Sequence, residues 1–515
     1  MTPMAASSTR RFGFAWRHAR MVSQALWLAA FLVLFGGLAA SLLRGELASV
    51  LVALDPLTAA GTLLADCTVP RWTWLGLAVL AITAFLGRVF CGWICPLGTL
   101  QQLVSWLAGP TRRKAVEANR YRPWFAAKYV VAAVLLVWAA LGANHVGWLD
   151  PLPLLHRAFA AAVRPLWIGV PSPGGWVSFA LLGAILLASA WMPRCFCRAV
   201  CPAGALMGVV ARLAPVRIHR AAESCNDCKL CLFACQGADE PLGRHRVAEC
   251  HVCLNCLDAC GQQSLFYGPL PPAAPLASPP LDVGRRQIVT TTVAALAAAP
   301  VLRVAGSGLA ARAHDVIRPP GALVEEAFLA RCVTCGACMA ACPTGVLRSD
   351  LGRSGVEGLF SPVMDMRRGW CEPSCVRCME VCPTGALRVV DPRAKQAIGG
   401  PAEIRVGTAF LDHGRCLPWA MGTACIVCEE MCPTSPKAVW LETVEHRARD
   451  GTTVVLQRPY VDPVLCTGCG LCENRCPTGQ QAAIRVSSVG ESRDPRNRLL
   501  HRQPAAAKGA VSPPS

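Results

Sequence analysis

Six groups of four cysteines stand out along this chain, and thiolates at such spacings bind iron. Two read Cys225-x2-Cys228-x2-Cys231-x3-Cys235 and Cys250-x2-Cys253-x2-Cys256-x3-Cys260. Four more follow: Cys332-x2-Cys335-x2-Cys338-x3-Cys342, Cys371-x3-Cys375-x2-Cys378-x3-Cys382, Cys416-x8-Cys425-x2-Cys428-x3-Cys432 and Cys466-x2-Cys469-x2-Cys472-x3-Cys476. Each of these last four is followed directly by proline. Three closely spaced thiolates wrap one face of a 4Fe-4S cube, and a fourth completes the ligand set. A zinc ribbon needs only two C-x2-C pairs and would leave half of these thiols idle. The expectation is six 4Fe-4S clusters held by 24 cysteines.

The spacing is that of bacterial two-cluster ferredoxins, where the fourth cysteine of each run serves the other cluster. On that rule Cys225, Cys228, Cys231 and Cys260 hold one cluster, and Cys250, Cys253, Cys256 and Cys235 the second. The usual proline after the fourth cysteine is replaced by Gln236 and Gly261. For the later quartets the spacing leaves the exchange open: adjacent pairing and nested pairing (first with fourth, second with third) both fit.

A second set of cysteines is duplicated. Cys91-x3-Cys95-Pro96 and Cys197-x3-Cys201-Pro202 stand in equivalent places of an internal repeat, which also carries Leu54-Asp55-Pro56-Leu57 and Leu149-Asp150-Pro151-Leu152. Cysteines at i and i+4 share a helix face. Facing each other, the two pairs could supply four thiolates to a metal or cluster; redox disulfides and two structural helix ends are the other readings. Cys195 is a spare ligand, and Cys67 reads as structural or incidental. Oxidising a quinol needs proton acceptors, so Asp55, Asp150 and His156 form a candidate quinol site. The competing reading of each Asp-Pro is a helix N-cap followed by proline at the first helical position. His156 has no counterpart in the first repeat.

Several apolar stretches must position these groups. Residues 21–43, 72–90, 124–141 and 175–192 are each near the roughly 20 residues that a bilayer core requires. Lys and Arg number four in residues 1–20, two in 44–71, six in 88–123, two in 143–173 and ten in 193–286. That alternation places the N-terminus and the segments 88–123 and 193–286 in the cytoplasm. Residues 284–313 hold Arg285-Arg286, a weakly apolar run over 288–302 and the small-residue ending Ala311-Arg312-Ala313. This reads as an uncleaved twin-arginine signal-anchor that carries the remainder outward; a buried, Ala-rich soluble helix is the alternative. Twin-arginine export moves folded proteins, so clusters could be inserted before transport despite the oxidising destination.

Charge excludes another class. Of the net +18, residues 1–313 contribute 27 Lys/Arg against 12 Asp/Glu, and residues 314–515 contribute 23 against 20. The excess follows the apolar half, where short cytoplasmic loops concentrate it, and nucleic acid is not an expected partner. The fold class expected is a multi-domain membrane protein. Its parts are an all-α transmembrane bundle of two repeated two-helix units (1–212), an α+β ferredoxin-like domain with two clusters (213–267) and a Pro/Ala-rich linker (268–284). A signal-anchor helix (285–313), a four-cluster periplasmic domain (314–490) and a disordered tail (491–515) complete it. Residues 403–411 and 453–460 read as short strands between cluster loops.

These residues match a known pairing. Residues 21–260, with the repeated C-x3-C-P and two quartets, resemble the membrane ferredoxin subunit of periplasmic nitrate reductase systems (NapH-type) and its methylamine-utilisation relative (MauN-type). Residues 285–480, with Arg-Arg, Arg318-Pro319-Pro320-Gly321-Ala322 and four quartets, resemble the exported partner (NapG/MauM-type). The resemblance implies a fusion of the two. It also implies a quinol dehydrogenase module of the bacterial inner membrane, passing electrons from the quinone pool to a periplasmic reductase or c-type cytochrome. Regulators of the NosR type and polyferredoxins of copper-oxidase assembly share parts of the pattern. A rival from another class is a redox sensor or metallocentre-assembly factor without catalytic flux; a further one keeps the C-terminal half cytoplasmic.

Overall fold

The computed structural model describes residues 16–39, 49–68, 72–109, 112–168, 173–269, 283–310, 316–396, 404–447 and 453–497, apart from 222, 243, 244 and 480, together with positions 42, 45, 281 and 451. Helices dominate the first part: α1 (Trp16–Ala39), α2 (Pro56–Asp66), α3 (Trp74–Leu86), α4 (Pro96–Leu107), α5 (Ala127–Ala140), α6 (Pro151–Ile168), α7 (Pro173–Trp191) and α8 (Pro202–Val210). The four expected apolar stretches overlap α1, α3, α5 and α7. By length and composition, two helices among the described residues, Trp16–Ala39 and Pro123–Ala140, are long and apolar enough to cross a membrane; the apolar stretches Trp74–Leu86 and Gly175–Trp191 are shorter.

The repeat is visible in the packing. Helices α2, α4, α6 and α8 each begin at a proline preceded by Asp or Cys, the place where a missing N–H costs nothing. Contacts come in matched pairs: α1 with α4 and α5 with α8, α2 with α3 and α6 with α7, α4 with α7 and α8 with α3. The units are also interleaved, since α2 lies on α5 and α6 on α1. A core including Phe31, Phe35, Leu57, Leu97, Leu155 and Met207 fills the bundle.

At one end sits a first ferredoxin unit, closed by the antiparallel pair β1 (Val216–Arg220) and β2 (Leu265–Pro269). Arg88 donates to the Ala248 carbonyl at 2.8 Å, and Trp93 to that of Val252 at 2.8 Å. Buried Lys128 pairs with Glu249, whose other oxygen accepts from Tyr129 at 2.9 Å. From this end α9 (Arg285–Ala310) leaves along α5. Leu281 and Val283 pack by Ala126 and Tyr129 at the start of α5, and Trp138 near its end donates to the Ala295 carbonyl. The helix therefore runs the length of the bundle and is longer than the apolar run over 288–302. Ile288, Val289, Val293 and Leu296 are exposed, unlike the face of a buried soluble helix.

The second ferredoxin unit holds the opposite end. Its strands pair as β3 (Leu347–Ser349) with β4 (Pro362–Met364), β5 (Thr408–Leu411) with β8 (Ile484–Ser487), and β6 (Val439–Arg447) with β7 (Thr453–Val461), all antiparallel. The strand expected over 403–411 is confined to its last four residues, and 397–403 lie outside the described residues. The tail expected to be disordered from Glu491 is held through residue 497. Arg493 bridges Glu491 (2.6 Å) and Glu325 (2.5 Å), and Asn497 donates to the Ser488 carbonyl (2.8 Å). Most of the linker 268–284 and residues 311–313 lie outside the described set.

Candidate functional site

Four of the six quartets share one loop. In each C-x2-C-x2-C run, the residue before the second cysteine and the residue after it have positive φ: Asp227 and Lys229, Val252 and Leu254, Thr334 and Gly336, Gly468 and Gly470. A one-turn helix follows, at Leu230–Ala234, Asn255–Ala259, Ala337–Ala341 and Leu471–Arg475, and carries the third cysteine. The left-handed residues turn the chain around a common centre. For Lys229 and Leu254 this conformation costs about 1–2 kcal/mol each, strain of the kind held at functional sites.

The fourth cysteine arrives from a neighbouring quartet. One cavity is lined by Cys371, Cys375, Cys378 and Cys342. A second is lined by Cys466, Cys469, Cys472 and Cys432, and a third by Cys416, Cys425, Cys428 and Cys476. Cys382 lies beside Cys332, Cys335 and Cys338. In the first unit Cys260 lies with Cys225 and Cys231, and Cys235 with Cys253 and Cys256. Adjacent quartets exchange their last cysteine, so the nested arrangement is not the one adopted. Among the described residues no three Cys, His, Asp or Glu converge on a single ion; three of the cysteine sets are instead spread around cavities.

Hydroxyls and cations line these thiols. Thr344, Thr384, Thr434 and Thr478, each two residues after a C-P cysteine, bring their hydroxyls to Cys342, Cys382, Cys432 and Cys476 at 3.6, 3.9, 3.2 and 3.1 Å. Ser264 does the same for Cys260 at 3.2 Å. Lys395 donates to Cys371 Sγ at 3.4 Å. Buried Arg157 stands by Cys335 and Cys332, Arg20 by Cys253, and Arg198 by Cys235. Sequence reasoning missed all of these. The recurring Cys-Pro-Thr was the available signal for the threonines, and arginines within apolar helices for the cations.

The second unit docks through its first cluster loop. Arg157 donates to the Thr334 carbonyl at 3.0 Å and to its hydroxyl at 2.9 Å; Asn144 donates to the Ala330 carbonyl at 3.0 Å. Arg331 meets Asp66 at 2.6 Å. Gly147 lies so close to the Val333 carbonyl that a Cβ there would overlap it. His156 is buried, its Nδ1 3.1 Å from the Cys335 carbonyl and its Nε2 without a partner; Phe31 and Phe35 meet its ring edge-on. Further out, Cys371 N donates to Cys469 O at 2.8 Å and joins the two halves of the unit.

Asp55 and Asp150 do not stand at an outer surface with His156. Both are fully buried and lie within hydrogen-bonding reach of each other. Asp55 caps α2 through Leu57 N at 2.9 Å, and Thr58 donates to Asp150 at 3.1 Å. The helix-cap reading holds for Asp55. Two facing carboxyl groups, with no cation beside them among the described residues, favour holding a proton between them. Cys91, Cys95, Cys197 and Cys201 are gathered between the first unit and this pair, while Cys195 sits apart beside Arg198. Cys67 ends α2, exposed.

Comparisons with known proteins agree with this chemistry. Models described as 4Fe-4S binding domains match residues 68–114, 174–220 and 459–480, and a 4Fe-4S dicluster domain matches 331–386. The chain is 30% identical over 235 residues to the methylamine utilization ferredoxin-type protein MauN of Methylorubrum extorquens, covering 43% of this chain and 74% of MauN. To MauM of Methylophilus methylotrophus, also a methylamine utilization ferredoxin-type protein, it is 36% identical over 195 residues, 36% of this chain and 77% of MauM. The chain belongs to the ferredoxin-type protein family. Other members of wider compass match over less of their length: the chain covers 51% of YccM from Escherichia coli and 25% of the regulatory protein NosR from Pseudomonas aeruginosa. No solved structure matches. As a ferredoxin-type protein, the chain carries several 4Fe-4S domains.

Proposed function

We propose that this is a membrane-anchored quinol dehydrogenase component with six 4Fe-4S clusters on the six cysteine sets named above. It would take electrons from quinol, or from a cytoplasmic donor, and deliver them to a periplasmic reductase or c-type cytochrome. The observation that carries the reading is the course of α1. Near its start Arg17 N donates to Asp258 of the first unit at 2.6 Å, and its later turns pack on the helix Ala337–Ala341 of the second. Its 24 residues span about 36 Å at 1.5 Å per residue, against roughly 30 Å of bilayer hydrocarbon.

The outer surface of the bundle supports the same reading. Val22, Leu26, Val33, Ile82, Phe85 and Leu187 are exposed, with Trp16 and Trp191 towards the first unit and Trp74 and Trp176 towards the second. Apolar sides with tryptophan at both rims suit a bilayer. Bound clusters supply one-electron transfer. The protein's part is to hold quinol where its two protons and two electrons can leave separately. His156, against the Cys335 loop with Nε2 unpaired, is the residue we assign to meet quinol, and the shared-proton pair Asp55–Asp150 lies deeper. The contact between Cys371 and Cys469 supports an outward order of first quartet, second, fourth, third.

Membranes carrying the full chain, given a reduced quinol anaerobically, should show partial bleaching of the cluster absorbance. Chemical reduction without quinol-dependent reduction would leave a sensor or assembly factor. Reporter fusions near residues 270 and 500 should report opposite sides of the membrane; the same side for both would remove the transmembrane reading.

A further inference from the structure

The duplicated C-x3-C-P pairs belong to none of the six cluster sets. Cys91, Cys95, Cys197 and Cys201, one pair from each repeat, lie close enough for their charges to act on one another. Cys95, Cys197 and Cys201 are buried and Cys91 half-buried. Gln101 Nε2 donates to Cys197 Sγ at 3.2 Å and Gly204 N to Cys201 Sγ at 3.3 Å. The group stands between the first unit and the Asp55–Asp150 pair, on the line to His156 and the second unit.

Buried charge distinguishes thiols that stay neutral from thiolates that hold metal. Arg88 and Arg194 are almost fully buried at this group. Arg88 Nη2 lies 3.8 Å from Cys91 Sγ and otherwise reaches the Ala248 carbonyl; Arg194 bonds the Cys91 carbonyl and Gln102. Neither meets a carboxylate among the described residues, and the Nε of both is without a partner. Glu249, the nearby buried acid, is taken by Lys128 and Tyr129. Two guanidiniums buried against neutral thiols would be uncompensated, which is strongly unfavourable. The ferredoxin quartets show the remedy, since Arg20, Arg198, Arg157 and Lys395 stand beside cysteines that ligate clusters. A 4Fe-4S centre on four thiolates carries a net negative charge that answers both arginines.

We propose that Cys91, Cys95, Cys197 and Cys201 hold a seventh 4Fe-4S centre, shared between the two repeats and charge-matched to Arg88 and Arg194. The matches of a 4Fe-4S binding model to 68–114 and 174–220 each contain one C-x3-C-P pair, half of this ligand set. The proposal deepens the electron-transfer reading by giving the path a stop inside the bundle, between the two units.

The test is iron, acid-labile sulfide and zinc per chain in the full-length protein, purified anaerobically in detergent, against a Cys95→Ala/Cys201→Ala variant and a Cys67→Ser control. The variant should lose about four irons and four sulfides, the content of one cubane, and the control none. Unchanged iron overturns the centre, and so does one zinc per chain that the variant loses. Should the double variant fail to fold, Gln101→Leu decides. Loss of an N–H···S bond stabilises the reduced, more negative cluster less, so one component of an anaerobic redox titration should move to lower potential; a titration unchanged throughout rejects the site. Iron is counted chemically, so failure of the quinol reading and failure of this one give separate results.

Discussion

His156 Nδ1 lies 3.1 Å from the carbonyl oxygen of Cys335, so a buried imidazole of the helical bundle touches the backbone of a cluster-ligand loop in the second ferredoxin unit. Hydrogen bonding on one side of the ring fixes its orientation and leaves Nε2 for another molecule. Replacement by phenylalanine keeps the aromatic packing and removes both nitrogens. His156→Phe should lower quinol-dependent cluster reduction about 10²–10⁴-fold, the usual range for a lost acid–base group. Iron content and reduction by dithionite should not change; an unaltered quinol rate removes His156 from the site.

Gly147 sets how closely the second unit seats. Its missing side chain admits the Val333 carbonyl, and any Cβ must push that loop away. Gly147→Ala should cost about 1–3 kcal/mol, as overpacking does, and should raise hydrogen exchange at residues 332–337 first. Clusters of the second unit should remain chemically reducible while quinol-driven reduction slows. Unchanged exchange at that loop would show that the contact is not made.

The threonines after the C-P cysteines are predicted to tune rather than to hold. Thr434 Oγ1 lies 3.2 Å from Cys432 Sγ and also accepts from Ala438 N at 2.8 Å. Thr434→Val removes both interactions and should cost about 1 kcal/mol of stability. One cluster should titrate at lower potential with iron unchanged. Loss of four irons instead would make Thr434 structural.

Glu325 supplies the pH dependence of the second unit. Burial opposes its charge, but Arg318 and Arg493 outweigh burial and hold its carboxyl down at about 2, below the usual 4.5. A carboxyl depressed on folding stabilises the protein above its unfolded value. The tie from residue 493 should therefore be present above pH 4.5 and weaken as pH falls towards 2. Glu325→Gln should flatten that acid limb when unfolding is followed by fluorescence, and an identical limb in both proteins would remove the assignment.

What the sequence disclosed was what repeats. Cysteine spacing requires the same left-handed turn wherever C-x2-C-x2-C occurs, so Leu254 and Gly470 adopt it alike. Proline after Asp or Cys marks the starts of α2, α4, α6 and α8, and apolar runs mark α1, α3, α5 and α7. Relations between distant segments were hidden. Nothing near Asp55 in the chain indicates Asp150 as its neighbour, because the repeat interleaves. Arg20, Arg157 and Arg198 read as ordinary basic residues, since Cys253, Cys335 and Cys235 beside them are supplied by other segments. Arg493 made the tail look polar and free, although its partner Glu325 lies at the far end of the same unit.

The exchange of fourth cysteines yields a test that spacing alone could not frame. Cys382 closes the second quartet in sequence, yet it lies beside Cys332, Cys335 and Cys338, whereas Cys342 lines the cavity of Cys371, Cys375 and Cys378. Cys382→Ser should disturb the same spectroscopic component as Cys335→Ser, and Cys342→Ser the same one as Cys375→Ser. Because the first site adjoins the bundle, Cys382→Ser should also block quinol-driven reduction of the other three clusters of that unit, which dithionite would still reduce. The Cys476→Ser change, at the distal site, should leave quinol-driven reduction of those nearer clusters intact. If Cys382→Ser and Cys375→Ser alter one component together, each quartet keeps its own fourth cysteine and the order of the outer path must be redrawn.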